Sequence, residues 1–245
     1  MSVNSKMTAI ADAIRAKTGG TDALTLDGIA AAIPEVYAAG EKSAYDAFWD
    51  SYQSSSNYYC KFAGDGWTEN TFKPKHDIIP TDAGMLFYNN QIKDLVSVLE
   101  KCGVILDLSK CTELVQTFTY TFTNRIGIVD ARNSKRMFMT FLGSKVVTIE
   151  KIMLSDITNV QSNVFMYCTN LENMIIEGTI AYTGFDTHWS TKLSRESITS
   201  IVNALSDTTS GMTVTFSQTA VDAAFTDDEW ATLIAAKPNW TFTLA

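Results

Sequence analysis

Residues 163–178, NVFMYCTNLENMIIEG, set Phe165, Cys168, Leu171, Met174 and Ile176 at offsets of 3, 3, 3 and 2. Tyr120, Thr123, Ile126, Val129 and Ala131 stand at the same offsets. Ile149, Ile152 and Leu154 repeat the second half, with Phe138 and Phe141 as aromatic candidates before them. Leu108, Cys111 and Leu114 fit the front of a further unit. The β-prone runs VILDLSKCTEL, RIGIVDARN, TIEKIMLSD and ENMIIEGTI centre near 106, 129, 152 and 175, roughly 22–24 residues apart. A fixed period of this size constrains the fold strongly. One pass of chain has too little apolar surface to stand alone, so it buries its ladder against the passes above and below. Cys168 then fills a small buried slot, the slot that Thr123 fills in the matching unit. A threonine in that place argues against a metal ligand, half a disulfide or a nucleophile.

The flanks follow other rules. Met7, Ile10, Ala11 and Ile14 make a helical stripe that stops at Gly19-Gly20. A second helix, within TDALTLDGIAAAI, ends at Pro34. A third, VYAAGEKSAYDAFWDSYQ, places Tyr45, Phe48, Trp49 and Tyr52 on one face. That aromatic face either packs on the first two helices or serves as a docking and oligomerisation surface, since so short a segment has little core to cover it. Residues 54–84, opening on SSSN and punctuated by Gly64, Gly66, Pro74, Pro80 and Gly84, read as an extended linker. Past 190, Ser194 is a candidate cap for a helix with Ile198, Ile201, Val202 and Leu205 on its apolar face. MTVTF reads as a strand, TDDEWATLIAAK as a helix capped by Thr226 or Asp227, and NWTFTL as a closing strand. The expected divisions are therefore 1–53, 54–84, 85–193 and 194–245.

Composition removes several function classes. Of 245 residues, 46% are apolar and 19% charged, which marks a folded chain. The net charge of −8 leaves no basic stripe to displace counterions, so no nucleic-acid partner is expected; the densest basic segment, Arg132 to Arg136, reads as a solvated loop. No run of about eighteen apolar residues is present, so no membrane insertion is expected. The opening residues lack the apolar core of a signal peptide. Four widely spaced cysteines and two histidines argue against a zinc site and for free thiols in a reducing compartment. Gly64-Asp65-Gly66 lacks the residues of a phosphate loop, and Asp65, Asp77 and Asp82 lack calcium-loop spacing. No cofactor, no metal and no enzymatic activity are expected.

The unit F-x-x-C-T-N-L-x-x-M-x-I resembles the BspA-type leucine-rich repeats, in which an aromatic, a Cys or small residue, and then Leu and Ile recur every twenty-odd residues. MTAIADAIRAKTGGTDALTLDGIAAAI resembles the opening of tail-associated proteins encoded by phages and prophages of Gram-positive gut bacteria. The ending, SITSIVNALSDTTSGMTVTF with FTDDEWATLIAAKPNWTFTL, is similar to the closing segment of leucine-rich-repeat proteins of the same genomes. The pattern departs over 137–147, where no Phe-x-x-Cys unit fits. The resemblance implies an α/β fold: a short N-terminal helical segment, an irregular leucine-rich-repeat-like β-solenoid, then strand–helix C-terminal capping units. It implies a non-enzymatic phage tail structural or receptor-binding protein that presents its surface to a host-cell protein or glycan. Other tail proteins and copies of the chain itself, in a trimer, would be its partners. Its place would be the virion tail, after assembly in the bacterial host cytoplasm. The alternative is a bacterial leucine-rich-repeat adhesin or protein-interaction module, which the missing export and anchor signals count against.

Two groups are candidate binding residues. Asp107 and Asp130 fall between the buried positions of adjacent passes, where they would stand about 5 Å apart on the open face. That is the spacing of a glycosidase pair. No His, Arg or Asn shell is recognisable around them, so the face reads as binding or merely solvated. Tyr182, Phe185, His188 and Trp189 crowd an aperiodic stretch. They form either a loop that stacks on sugars or grips a protein, or a bulky plug where the periodic region ends.

Overall fold

The computed structural model describes residues 12, 58–155, 163–208 and 210–245. The chain divides into two units, Met1–Ser54 and Ser55–Ala245, and every element below belongs to the second. Apart from the helical Asp12, the helices expected before residue 53 lie outside the described residues.

From Tyr58 the chain runs through turns to helix α1, Leu95–Cys102. Asp94 caps α1 by accepting the Ser97 N–H at 2.9 Å, and Gly103, at φ 66°, ends it in the left-handed conformation that glycine adopts without a Cβ penalty. Strands β1 (Glu113–Val115), β2 (Arg125–Asp130), β3 (Arg136–Phe138), β4 (Thr148–Met153) and β5 (Asn173–Glu177) follow. The C-terminal elements are β6 (Phe185–Asp186), α2 (Arg195–Ala204), β7 (Met212–Phe216), α3 (Gln218–Ala224), α4 (Asp227–Ala235) and β8 (Trp240–Leu244). Among the described residues all strand pairs are parallel.

The expected leucine-rich-repeat-like β-solenoid is corrected by this topology. The described strands form three separate small parallel sheets, β1-β3, β2-β4-β5 and β6-β7-β8, in a mixed α/β unit. The expectation took one extended run per period. In fact β1 pairs with β3 while β2, between them in sequence, pairs with β4, so neighbouring strands serve different sheets. The matching of units was also out of step, by two residues at the aromatic end and by three in the strands. Ile126 lies opposite Ile149, which lies opposite Met174, so Ile126 corresponds to Met174 and not to Leu171. An extra residue in β4 between Ile149 and Ile152 shifts the pairing with β5, as a bulge does.

What successive passes share is a column of phenylalanines. Phe62, Phe87, Phe118 and Phe141 are fully buried and Phe165 nearly so. Neighbouring centroids lie 5.3–5.6 Å apart, and from Phe87 to Phe165 adjacent ring planes agree within 6°. Each such stack adds about 0.5–1.5 kcal/mol to the burial of the rings. Backbone bonds follow the column: Phe62, Phe87, Phe118 and Phe141 donate to the carbonyls of Leu86, Thr117, Thr140 and Val164 at 2.8–2.9 Å. Residues 58–84, expected as a linker, contribute Phe62, Phe72 and Ile78 to this core, each fully buried.

Beside the rings runs a column of small polar side chains: Asn90, Thr121, Ser144 and Cys168. Thr121 Oγ1 donates to Asn90 Oδ1 at 2.9 Å, Ser144 Oγ lies 3.6 Å from Cys168 Sγ, and Cys168 Sγ donates to the Phe141 carbonyl at 2.9 Å. Cys168 thus shares its slot with Thr121 and Ser144, two residues from the Thr123 that the spacing suggested. Burial pushes its thiol up to about 12, and that of Cys111 up to about 11. Neither thiol supplies a thiolate near neutral pH.

Candidate functional site

Two residues to either side of the stacked phenylalanines the backbone turns into the left-handed region. Cys60, Met85, Gln116 and Met139 do so on one side, at φ 52–55°. Gly64, Asn89, Tyr120, Gly143 and Tyr167 do so on the other, at φ 100°, 52°, 53°, 62° and 61°. The left-handed conformation costs an ordinary residue about 1–2 kcal/mol, and glycine or asparagine little. In the second set Gly64, Asn89 and Gly143 suit the conformation, whereas Tyr120 and Tyr167 do not. Both tyrosines are exposed, at 43% and 45%, so no burial offsets the cost. Met85, Gln116 and Met139 bear the same backbone cost on the first side, so it is the exposure of the two tyrosine rings that sets them apart.

The two rings belong to a row. Tyr88 meets Tyr120 edge to face, with centroids 6.0 Å apart. The Tyr120 ring lies over Gly143: a Cβ there would stand 2.5 Å from its Cδ1 and Cε1. Tyr167 packs on Trp189 with centroids 4.5 Å apart, and Trp189 in turn on His188 at 4.7 Å. Between Tyr120 and Tyr167 opens a groove of about 470 Å³, lined also by Asn89, Phe122, Gly143, Lys145 and Thr169. Its walls combine aromatic faces with an amide, a hydroxyl and one ammonium. That combination suits a ligand with both apolar C–H faces and hydroxyls.

The cluster at 182–189 is divided between inside and outside. His188 and Trp189, both half-buried, extend the row. Phe185 turns inward, 4% exposed, and ends the phenylalanine column against Phe165 at 5.6 Å. Tyr182 packs on Phe185 at 6.1 Å, and burial pushes its phenol upward. Asp186 Oδ1 accepts from the His188 N–H at 2.9 Å and lies 2.6 Å from its Nδ1, which orients the imidazole beside Trp189.

Asp107 and Asp130 line a different cavity, about 440 Å³ between α1 and β2, whose wall includes Leu95, Val96, Leu99, Ile105, Ile128 and Met153. Asp107 Oδ1 accepts the Ser109 N–H at 2.8 Å. Asp130 takes two bonds from the Arg132 guanidinium, at 2.7 and 2.9 Å, and these hold its carboxyl below the usual carboxylate range. Among the described residues no hydrogen bond joins the two acids. A carboxylate neutralised by a guanidinium is poorly suited to take or give a proton, so Arg132 ties up Asp130.

Tyr45, Phe48, Trp49 and Tyr52 lie outside the described residues. Among the described residues no three His, Cys, Asp or Glu side chains are grouped to hold a metal ion, and no helix is long and apolar enough to cross a membrane. Sequence reasoning missed Tyr88, Tyr120, Phe122, Lys145 and Tyr167 as surface residues. One signal was present: Phe-x-Tyr occurs at 118–120 and again at 165–167. No protein-family model, curated protein or solved structure matches the chain.

Proposed function

We propose that the chain is a non-enzymatic recognition protein that grips a sugar chain along the row Tyr88, Tyr120, Tyr167 and Trp189. The observation that carries this reading is the pair of exposed tyrosines on costly left-handed backbone, bracketing a groove with hydrogen-bonding side chains. A sugar ring offers one apolar C–H face to stack on an aromatic ring, while its hydroxyls meet groups such as Asn89 and Thr169. The tail-associated setting rests on the sequence resemblance alone; in that setting the sugar chain belongs to the host-cell surface.

Trp189, stacked on Tyr167, provides the readout. Titration with a panel of oligosaccharides is expected to change Trp189 emission, identified by its loss in Trp189→Phe. Tyr120→Ala and Tyr167→Ala are each expected to weaken binding about tenfold, the loss of one stacking contact of about 1.4 kcal/mol. Equal affinity in the parent chain and the double variant sinks the reading.

A further inference from the structure

We infer that the sugar chain taken by this row is anionic, carrying a carboxylate or phosphate that meets Lys145. This rests on the row being a sugar site, and it adds the charge of the ligand.

Lys145 is the one cation among the residues lining the groove, and no Asp or Glu lines it. Its own N–H is anchored to the Thr121 carbonyl at 2.9 Å, which fixes where the side chain leaves the backbone. The residue is exposed, and its ammonium makes no ion pair among the described residues. Some surface cations of the unit are paired, while others, Lys110, Lys135 and Lys192 among them, make no ion pair among the described residues. Lys151 pairs with Glu177 at 2.6 Å, Arg125 with Glu150 at 2.5 Å, and Lys237 with Asp207 at 2.7 Å. What sets Lys145 apart is its place: in a chain of net charge −8 it gives this aromatic groove a positive charge that no lining acid offsets, which favours an anionic ligand.

The position of Lys145 sharpens the point. Two residues past Tyr120 stands Phe122, two past Gly143 stands Lys145, and two past Tyr167 stands Thr169. The pass that contributes no ring to the row, at Gly143, is the pass that contributes the charge. A chain lying across the groove would rest on Tyr120 and Tyr167 and present its middle to the ammonium. The exposed Phe122 and the two tyrosine rings displace water nearby, which strengthens a charge-assisted hydrogen bond there.

The test uses the full chain and three probes of equal length: an oligogalacturonate, its neutral methyl ester, and a glycerol-phosphate oligomer. At least one anionic probe is expected to bind about tenfold tighter than the methyl ester. The ratio should fall towards one in Lys145→Met, persist in Lys145→Arg, and persist in Lys151→Met, which removes the same charge from a paired site. Which anionic probe wins tells carboxylate from phosphate. Equal affinity for charged and neutral probes, or a preference that survives Lys145→Met, overturns the inference and leaves the sugar site standing. If no probe binds and Tyr167→Ala changes nothing, the sugar reading falls as well.

Discussion

The passes that stack Phe87, Phe118, Phe141 and Phe165 in the interior also carry Tyr88, Tyr120, Tyr167 and Trp189 at the surface. Inside, ring planes agree within 6° and exposure is 2% or less. Outside, the contacts are edge-to-face or tilted, at 82° and 56°. The inner rings are placed by dense packing against one another, and folding alone accounts for them. The outer tyrosines sit on a strained backbone with little burial in return. Aromatic residues two positions apart in one segment, Phe118 and Tyr120, therefore answer to different demands: one to stability, the other, under the proposed function, to recognition.

The contrast can be broken at its strongest point first. Phe141→Ala removes a fully buried ring with stacked partners at 5.5 and 5.3 Å, and is expected to cost about 3–5 kcal/mol in chemical denaturation. A loss below about 1 kcal/mol would mean that the column is not what holds the passes together. Gly143→Ala acts on both rows, because its new Cβ meets the Tyr120 ring at 2.5 Å and its φ of 62° suits glycine. The expected cost is about 1–2 kcal/mol, together with a loss of sugar binding as the Tyr120 ring is pushed aside. Unchanged binding in a folded Gly143→Ala protein would separate the groove from the function.

Tyr120→Asn tests the outer row alone. Asparagine tolerates the left-handed conformation, so stability should hold or rise by up to about 1 kcal/mol while affinity falls. A destabilisation as large as that of Phe141→Ala would make Tyr120 a core residue. The smallest effect lies away from both rows, at the cap of α4. The Arg195 side chain, with the Thr226 N–H and hydroxyl, holds the Glu229 carboxyl down at about 2. A depressed carboxyl stabilises the fold above its unfolded pKa of about 4.3, and that contribution fades as pH falls towards about 2. Glu229→Gln should therefore flatten the acid limb of the stability profile between those limits, while substitutions in the aromatic rows leave the shape of that limb alone. An unchanged acid limb in Glu229→Gln would place the titration elsewhere.

The Asp107 and Asp130 reading shows how far local spacing reaches. Both residues line one cavity, though Asp107 lies in no described strand. Their availability was settled by Arg132, two residues past Asp130, and by the Ser109 N–H, two past Asp107. These are short-range partners that a search for a long-range shell passes over.

By itself the sequence determined the approximate period of the apolar runs and the helices at 195–204 and 227–235 with their Ser194 and Thr226 caps. Those features follow from side-chain chemistry and local hydrogen bonds, which a single stretch of chain contains. The tertiary structure alone decided the division into three sheets, the register between passes, and which aromatic of each pair faces inward. Those depend on bonds between passes: Gln116 N–H to the Phe138 carbonyl at 2.9 Å and Tyr120 N–H to the Leu142 carbonyl at 2.8 Å hold the two left-handed turns around Phe118. Nothing in the order Phe-Thr-Tyr says where the backbone reverses its hand, and that reversal sends one ring into the core and leaves the other at the surface.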